Sequence, residues 1–72
     1  MNIRNPMWKI KCSNGKYVQK TTYGTWISYT NNGKVFHNEN IAKKNLYLCQ
    51  DFTEESDDPR YNTLTFELEK VG

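Results

Sequence analysis

Apolar and polar residues alternate along Trp8-Lys9-Ile10-Lys11-Cys12, and the same period of two closes the chain in Leu64-Thr65-Phe66-Glu67-Leu68-Glu69. That period belongs to strands with one face on a core and the other in water. Between them stand two similar phrases, Ser13-Asn14-Gly15-Lys16 and Asn31-Asn32-Gly33-Lys34. Asn-Gly flanked by aromatic and β-branched residues is a hairpin signal, because both residue types tolerate positive φ. At the first turn the side chains choose the register. A two-residue Asn14-Gly15 loop sets Val18 opposite Lys11 and Lys9 opposite Lys20, which wastes Val18 and opposes like charges. A three-residue loop, Ser13 to Gly15 with Gly15 left-handed, sets Ile10 opposite Val18. Trp8, Ile10, Cys12 and Val18 then share one face, and Lys9, Lys11, Tyr17 and Gln19 the other.

Thr25 to Thr30 reads as a third strand, separated from the second at Gly24 and turning at Asn32-Gly33 into a short Lys34-Val35-Phe36 segment. Asn38 is placed to cap a helix, with Glu39 in its first turn. The run Glu39 to Gln50 sets Ala42, Leu46 and Cys49 along one stripe, with Ile41, Leu48 and Phe52 beside it. Asn45 falls on the same side and interrupts it. The alternative is a short helix ending near Lys44 and a strand from Leu46 to Phe52. Residues 53–60 hold Glu54, Glu55, Asp57, Asp58 and Pro59 and read as an acidic loop, since like charges repel and Pro59 disfavours helical geometry at Asp58. Thr63 to Val71 is the last strand, with Leu64, Phe66 and Leu68 inward and Thr65, Glu67 and Glu69 outward. The expected fold is α+β: a small antiparallel sheet in the order β-β-β-(β)-α-β, with one helix on one face, in a single domain over residues 1–72.

Composition narrows the picture. A 72-residue chain with 36% apolar residues buries only about 60–65% of its extended surface. Ten aromatics compensate, and Trp8, Trp26, Phe36, Phe52 and Phe66 are the expected core rings. A deep enclosed substrate cavity is not expected. No apolar run approaches membrane-spanning length, the Met1 to Pro6 start lacks a signal-peptide core, and no Asn-x-Ser/Thr acceptor occurs. The expected compartment is the cytoplasm. Cys12 and Cys49 form neither a CxxC pair nor a zinc quartet; they read as buried thiols, with a disulfide as the alternative.

Charge is segregated along the chain. Residues 1–50 carry eight Lys/Arg against Glu39 alone, a net of +7, and residues 51–72 carry seven acids against Arg60 and Lys70, a net of −5. Catalytic chemistry has no starting point: His37 is the only histidine, and there is no nucleophile motif, phosphate loop or paired metal ligands. The acidic loop lacks the spaced oxygens and glycine of an EF-hand. No enzyme activity, cofactor or metal is expected. Two binding surfaces remain. The acids Asp51, Glu54, Glu55, Asp57, Asp58, Glu67 and Glu69, with Phe52 or Tyr61 as an aromatic anchor, suit a larger protein with a basic surface or groove. Tyr23, Tyr29 and Tyr47 also suit an interface. The alternative is a non-specific DNA or RNA binder whose basic sheet face presents Lys9, Lys11, Lys16, Tyr17 and Lys20. Arg4 is the only arginine in the basic half, a composition poor for base reading.

The Lys- and Asn-rich composition, the Gly-punctuated strands, the Val35-Phe36…Ile41-Ala42-Lys43-Lys44 strand-to-helix junction and the closing strand resemble those of small bacteriophage-encoded accessory proteins. The resemblance spans most of the length and transfers no residue roles. It implies a small module that binds and inhibits or redirects a larger host protein, nucleic-acid-handling enzymes among them.

Overall fold

The computed structural model describes residues 6–22 and 26–71, and for Thr22 and Trp26 only their backbone places in the sheet. Arg4, Tyr23, Gly24, Thr25 and the Trp26 side chain, all named above, lie outside the described residues. The elements are β1 (Met7–Cys12), β2 (Tyr17–Thr22), β3 (Trp26–Thr30), α1 (Glu39–Glu55), α2 (Pro59–Asn62) and β4 (Phe66–Val71). They form a four-stranded antiparallel sheet of order β3-β2-β1-β4 with α1 packed against it, an α+β fold.

The first hairpin has the three-residue loop. Lys11 stands opposite Tyr17, the register that aligns Ile10 with Val18. The Cys12 amide donates to the Lys16 carbonyl at 2.8 Å and the Gly15 amide to the Cys12 carbonyl at 3.0 Å. Gly15 has φ +86° in open space, so it is there for its backbone freedom alone. Gly33, at φ +73°, has a second reason: an added Cβ would overlap the Tyr17 Cβ. The segment after Gly33 does not fold back on β3. Instead the Lys34 amide donates to the Val18 carbonyl at 2.9 Å, and Trp8 and Phe36 exchange two backbone bonds of 2.8 Å each. The short strand expected over 34–36 is thus a single bridge at Phe36, inserted where β1 and β2 part beyond their turn. It satisfies backbone groups that the parted strands leave open.

Between β2 and β3 the register slips at Gln19: Val18 lies opposite Tyr29, but Lys20 lies opposite Ser28. One extra residue on β2 is a β-bulge, and it changes the face on which later β2 side chains emerge. Thr21 therefore points to α1, where its hydroxyl donates to Asn45 Oδ1 at 2.6 Å. That contact explains the polar residue interrupting the apolar stripe of the helix. The Asn45 amide nitrogen is also used, donating to the Ile41 carbonyl at 2.8 Å.

α1 starts where its cap predicts: the Asn38 side chain accepts from the amides of Asn40 and Ile41 at 2.8 and 3.2 Å, and Glu39 pairs with Lys43 at 3.3 Å. It ends five residues beyond the expected Gln50, so the alternative strand over 46–52 does not form. The acidic loop over 53–60 needs correction as well. Thr53 to Glu55 are helical, Ser56 to Asp58 form a short link, and Pro59 opens α2. The cause is Thr53, which is buried against the core. Its hydroxyl donates back to the Cys49 and Gln50 carbonyls at 3.3 and 2.8 Å, so the polar atom is satisfied inside the helix. Burying that turn outweighs repulsion among exposed acids. α2 in turn is capped by Asp58, which accepts from the Arg60 amide at 2.9 Å, with proline at a position that needs no amide. Thr63 and Leu64 close α2, so β4 begins at Phe66 and not at Thr63. Leu64 still packs on the core from outside the strand.

The core joins Ile10, Cys12, Val18, Phe36, Ala42, Cys49 and Phe66, with Trp8, Ile27, Tyr29, Leu46, Leu64 and Leu68 at its margin. Ile41, expected beside the buried stripe, is 52% exposed, and Phe52 is half-buried outside the core. Both cysteines are free and buried. Burial, and secondarily the neighbouring Cys12, push the Cys49 thiol up to about 12. The Tyr29 ring stacks on Phe66 at 6.5 Å between centroids. Its hydroxyl is buried and meets no hydrogen-bond partner among the described residues, as does the Trp8 indole nitrogen. Burial, then the two thiols, raise the Tyr29 pKa. No helix among the described residues is long and apolar enough to cross a membrane.

Two substitutions test this core in opposite directions. Phe66→Ala removes a buried ring and should cost about 3–5 kcal/mol in urea denaturation, a large part of the stability of so short a chain. Tyr29→Phe removes an unpartnered buried hydroxyl and should leave stability unchanged or raise it by about 1 kcal/mol. Loss of stability in Tyr29→Phe would show that the hydroxyl has a partner after all.

Candidate functional site

The outer face of the sheet, away from α1, is built by the odd-numbered residues of β1 and β4. Their pairing sets Lys9 opposite Glu69 and Lys11 opposite Glu67. Residues from the basic and the acidic parts of the chain are therefore direct neighbours. Tyr17 joins them from β2: Lys9 Nζ lies 5.2 Å from its ring centroid, and a hydrogen bond to the Glu69 carboxylate raises its pKa. A negative acceptor holds the phenol proton, so ionising the phenol would set two anions together. Of the five residues of the nucleic-acid alternative, Lys9, Lys11 and Tyr17 meet on this face. Lys20 joins the same face from β2, because the bulge at Gln19 sets it opposite Ser28 while Thr21 turns to α1, and Lys16 is exposed at the turn. The lysines do not form a continuous cationic track, because Glu67 and Glu69 lie beside them.

The acidic candidates divide. Glu67 and Glu69 belong to that mixed sheet face. Asp51, Glu54 and Glu55 are exposed on the last turns of α1, and Asp57 is exposed in the link. Asp58 is structurally engaged: Arg60 donates to its carboxylate through Nε at 3.0 Å and through Nη2 at 2.6 Å. Those donors hold Asp58 below the usual carboxylate range. Arg60 also lies 5.4 Å from the Tyr61 ring centroid. Phe52 and Tyr61 are both half-buried and meet edge to face at 5.7 Å, tying α1 to α2. Each ring expected as an anchor is thus partly spent on the other.

Tyr47, read from the sequence only as suited to an interface, joins the acidic surface. It is 59% exposed on α1, one turn before Asp51 and two before Glu54, so the three share an exposed stripe. The signal was the spacing 47, 51, 54, legible only once the helix is carried past Gln50. The end of α1 is also electrostatically unusual. Helix C-termini carry partial negative charge and favour cations, yet the last turn here holds Glu54 and Glu55 and no basic residue. An open depression of about 320 Å³ adjoins the stripe, lined by Gln50, Thr53, Glu54, Asn62 and Leu64 among others. His37 is exposed, and among the described residues no three His, Cys, Asp or Glu side chains are grouped to hold a metal ion.

The contact between Tyr17 and Glu69 can be measured on its own. Glu69→Gln removes the anion and should lower the Tyr17 pKa towards its ordinary value near 10, followed by NMR titration of the labelled phenol carbon. An unchanged titration would mean that the two groups do not meet in solution.

Comparison with protein-family models, with curated proteins and with solved structures finds no match to this chain.

Proposed function

We propose that this protein is a small binding module that acts by docking on a larger protein rather than by catalysis. Its docking surface is the exposed stripe of α1 that carries Tyr47, Asp51, Glu54 and Glu55, with Asp57 at its end. The observation that carries the reading is the concentration of acids at the negative end of a helix, with no cation in that turn. The protein forgoes the favourable cap charge, and a basic groove would supply it. Tyr47 provides what carboxylates lack, a ring that buries area and keeps a hydrogen-bonding end. The carboxylates set association rate and register.

A basic groove of this kind is common on proteins that handle nucleic acid, so inhibition or modulation of such a host protein is the role proposed. The compartment proposed with it is the host cytoplasm, where Cys12 and Cys49 stay reduced. The nucleic-acid alternative is supported less well, because Glu67 and Glu69 stand opposite the two lysines of β1 on the sheet face.

Capture from nuclease-treated host lysate tests the reading and separates it from contact bridged by nucleic acid. The wild-type chain should retain a partner after nuclease treatment. Reversing Asp51, Glu54 and Glu55 to Lys should slow association with that partner roughly ten-fold or more at low salt, with a smaller effect at high salt. Asp58 is left unchanged because it caps α2. Tyr47→Ala should instead speed dissociation, its fold checked by circular dichroism. A partner lost on nuclease treatment, or kinetics indifferent to both changes, would sink the reading.

A further inference from the structure

β4 is an edge of the sheet, and every second residue along it has backbone groups without a partner. On β1 the Cys12 amide and carbonyl bond to Lys16 and Gly15, and Trp8 exchanges two bonds with Phe36, all on the side away from β4. Backbone direction alternates along a strand, so Met7, Lys9 and Lys11 bond to Val71, Glu69 and Glu67. Phe66, Leu68 and Lys70 therefore direct their amides and carbonyls outwards. Among the described residues no strand or loop pairs with them.

Unpaired carboxylates flank this edge on both sides. Glu67 is exposed on the outer face, where Lys11 stands opposite without forming an ion pair with it. On the helix side lies the open depression of about 320 Å³, which reaches the start of β4 and is lined by Glu54, Asn62, Leu64 and Phe66 among others. The ion pairs among the described residues join Glu39 to Lys43 and Asp58 to Arg60, so Glu54 belongs to none.

These charges select the occupant. A second copy pairing through its own β4 sets glutamate opposite glutamate, whether the two-fold axis is centred on Glu67, Leu68 or Glu69. An acidic strand meets the same repulsion. A basic strand instead brings a cation to each unpaired carboxylate while its main chain takes up the open backbone groups.

We propose that an extended basic segment of the partner adds to β4 as a fifth, antiparallel strand. This mode of docking rests on the protein-binding reading above and adds the element by which the partner is held. Partner residues opposite Glu67 and Glu69 emerge on the outer face and suit lysine. Those opposite Phe66 and Leu68 turn towards α1. Half-buried Leu68 suits an aliphatic neighbour. The residue opposite Phe66 enters the depression, where an arginine lays its stem on Leu64 and Phe66 and brings its head to Glu54.

The probe is the labelled peptide acetyl-Thr-Val-Lys-Val-Lys-Arg-Thr-amide, titrated into the full chain at low salt and followed by fluorescence anisotropy. In the proposed register its second valine and its arginine exchange backbone bonds with Leu68 and Phe66, and both lysine amides point away. N-methylation of that valine and the arginine should weaken binding roughly ten-fold or more. N-methylation of the two lysines leaves the charge identical and should have little effect. The amides of Phe66, Leu68 and Lys70 should exchange with deuterium more slowly once the peptide is added. Glu54→Gln should weaken binding roughly two- to five-fold, and only when the peptide carries its arginine. Equal binding by the two methylated peptides would mean charge attraction without strand addition; it overturns the proposal and leaves the acidic docking surface standing. No binding at millimolar peptide also overturns it, and the capture experiment above then decides the docking reading separately.

Discussion

The seam between β1 and β4 joins the two ends of the described chain, and the rest of the architecture depends on it. Six successive pairs, from Met7 with Val71 to Cys12 with Phe66, hold segments separated by more than fifty residues of sequence. Its inner side contributes Ile10, Cys12, Phe66 and Leu68 to the core, and its outer side contributes Lys9, Lys11, Glu67 and Glu69. One set of backbone bonds therefore creates the floor on which α1 rests and the mixed-charge face on the other side. Contacts so far apart in sequence carry a loop-closure cost that local hairpins do not. The apolar pairs offset that cost; the cross-strand Lys-Glu neighbours on the outer face add little to stability but favour this register over its neighbours.

α1 shows how one buried turn redirects a whole segment. Thr53 extends the helix beyond its apolar stripe and carries Glu54 and Glu55 with it. The Phe52-Tyr61 contact and the Asp58 cap then turn the chain through α2 into β4. Acids that in isolation suggest a mobile loop become an ordered, exposed helix end. Tyr47 and Asp51 belong to that surface only because the helix continues through them, so the candidate binding stripe is a product of packing at Thr53.

Much of the fold was legible because its signals are local. The three-residue turn, Ile10 facing Val18, the Asn38 cap and the alternation of β4 all rest on neighbouring residues and hard steric preferences. The misses share a different cause. The loop expected over 53–60 followed from charge and proline, which act locally, but a tertiary contact at Thr53 outweighed them. The strand expected at 34–36 was real as an extended segment, but its partner, Trp8, lies far back in the sequence. Asn45 looked like a defect in the stripe until the bulge at Gln19 brought Thr21 to it. The candidate site was less legible than the fold: Asp51, Glu54 and Glu55 stand out as acids and Tyr47 as an aromatic suited to an interface, but only the continued helix joins them in one stripe, and only the structure shows that Asp58 caps α2.

By itself the sequence determined the main strands and the start of α1, the first turn and the inward faces of β1 and β4, because period, glycine φ and capping chemistry act within a few residues. Only the tertiary structure decided how charge is distributed. Along the chain the basic and acidic parts are separate; in the folded protein antiparallel pairing of β1 with β4 sets lysine beside glutamate and leaves one acidic surface at the end of α1. Electrostatic interactions depend on distance in space, and strand pairing sets that distance with no regard to separation in sequence.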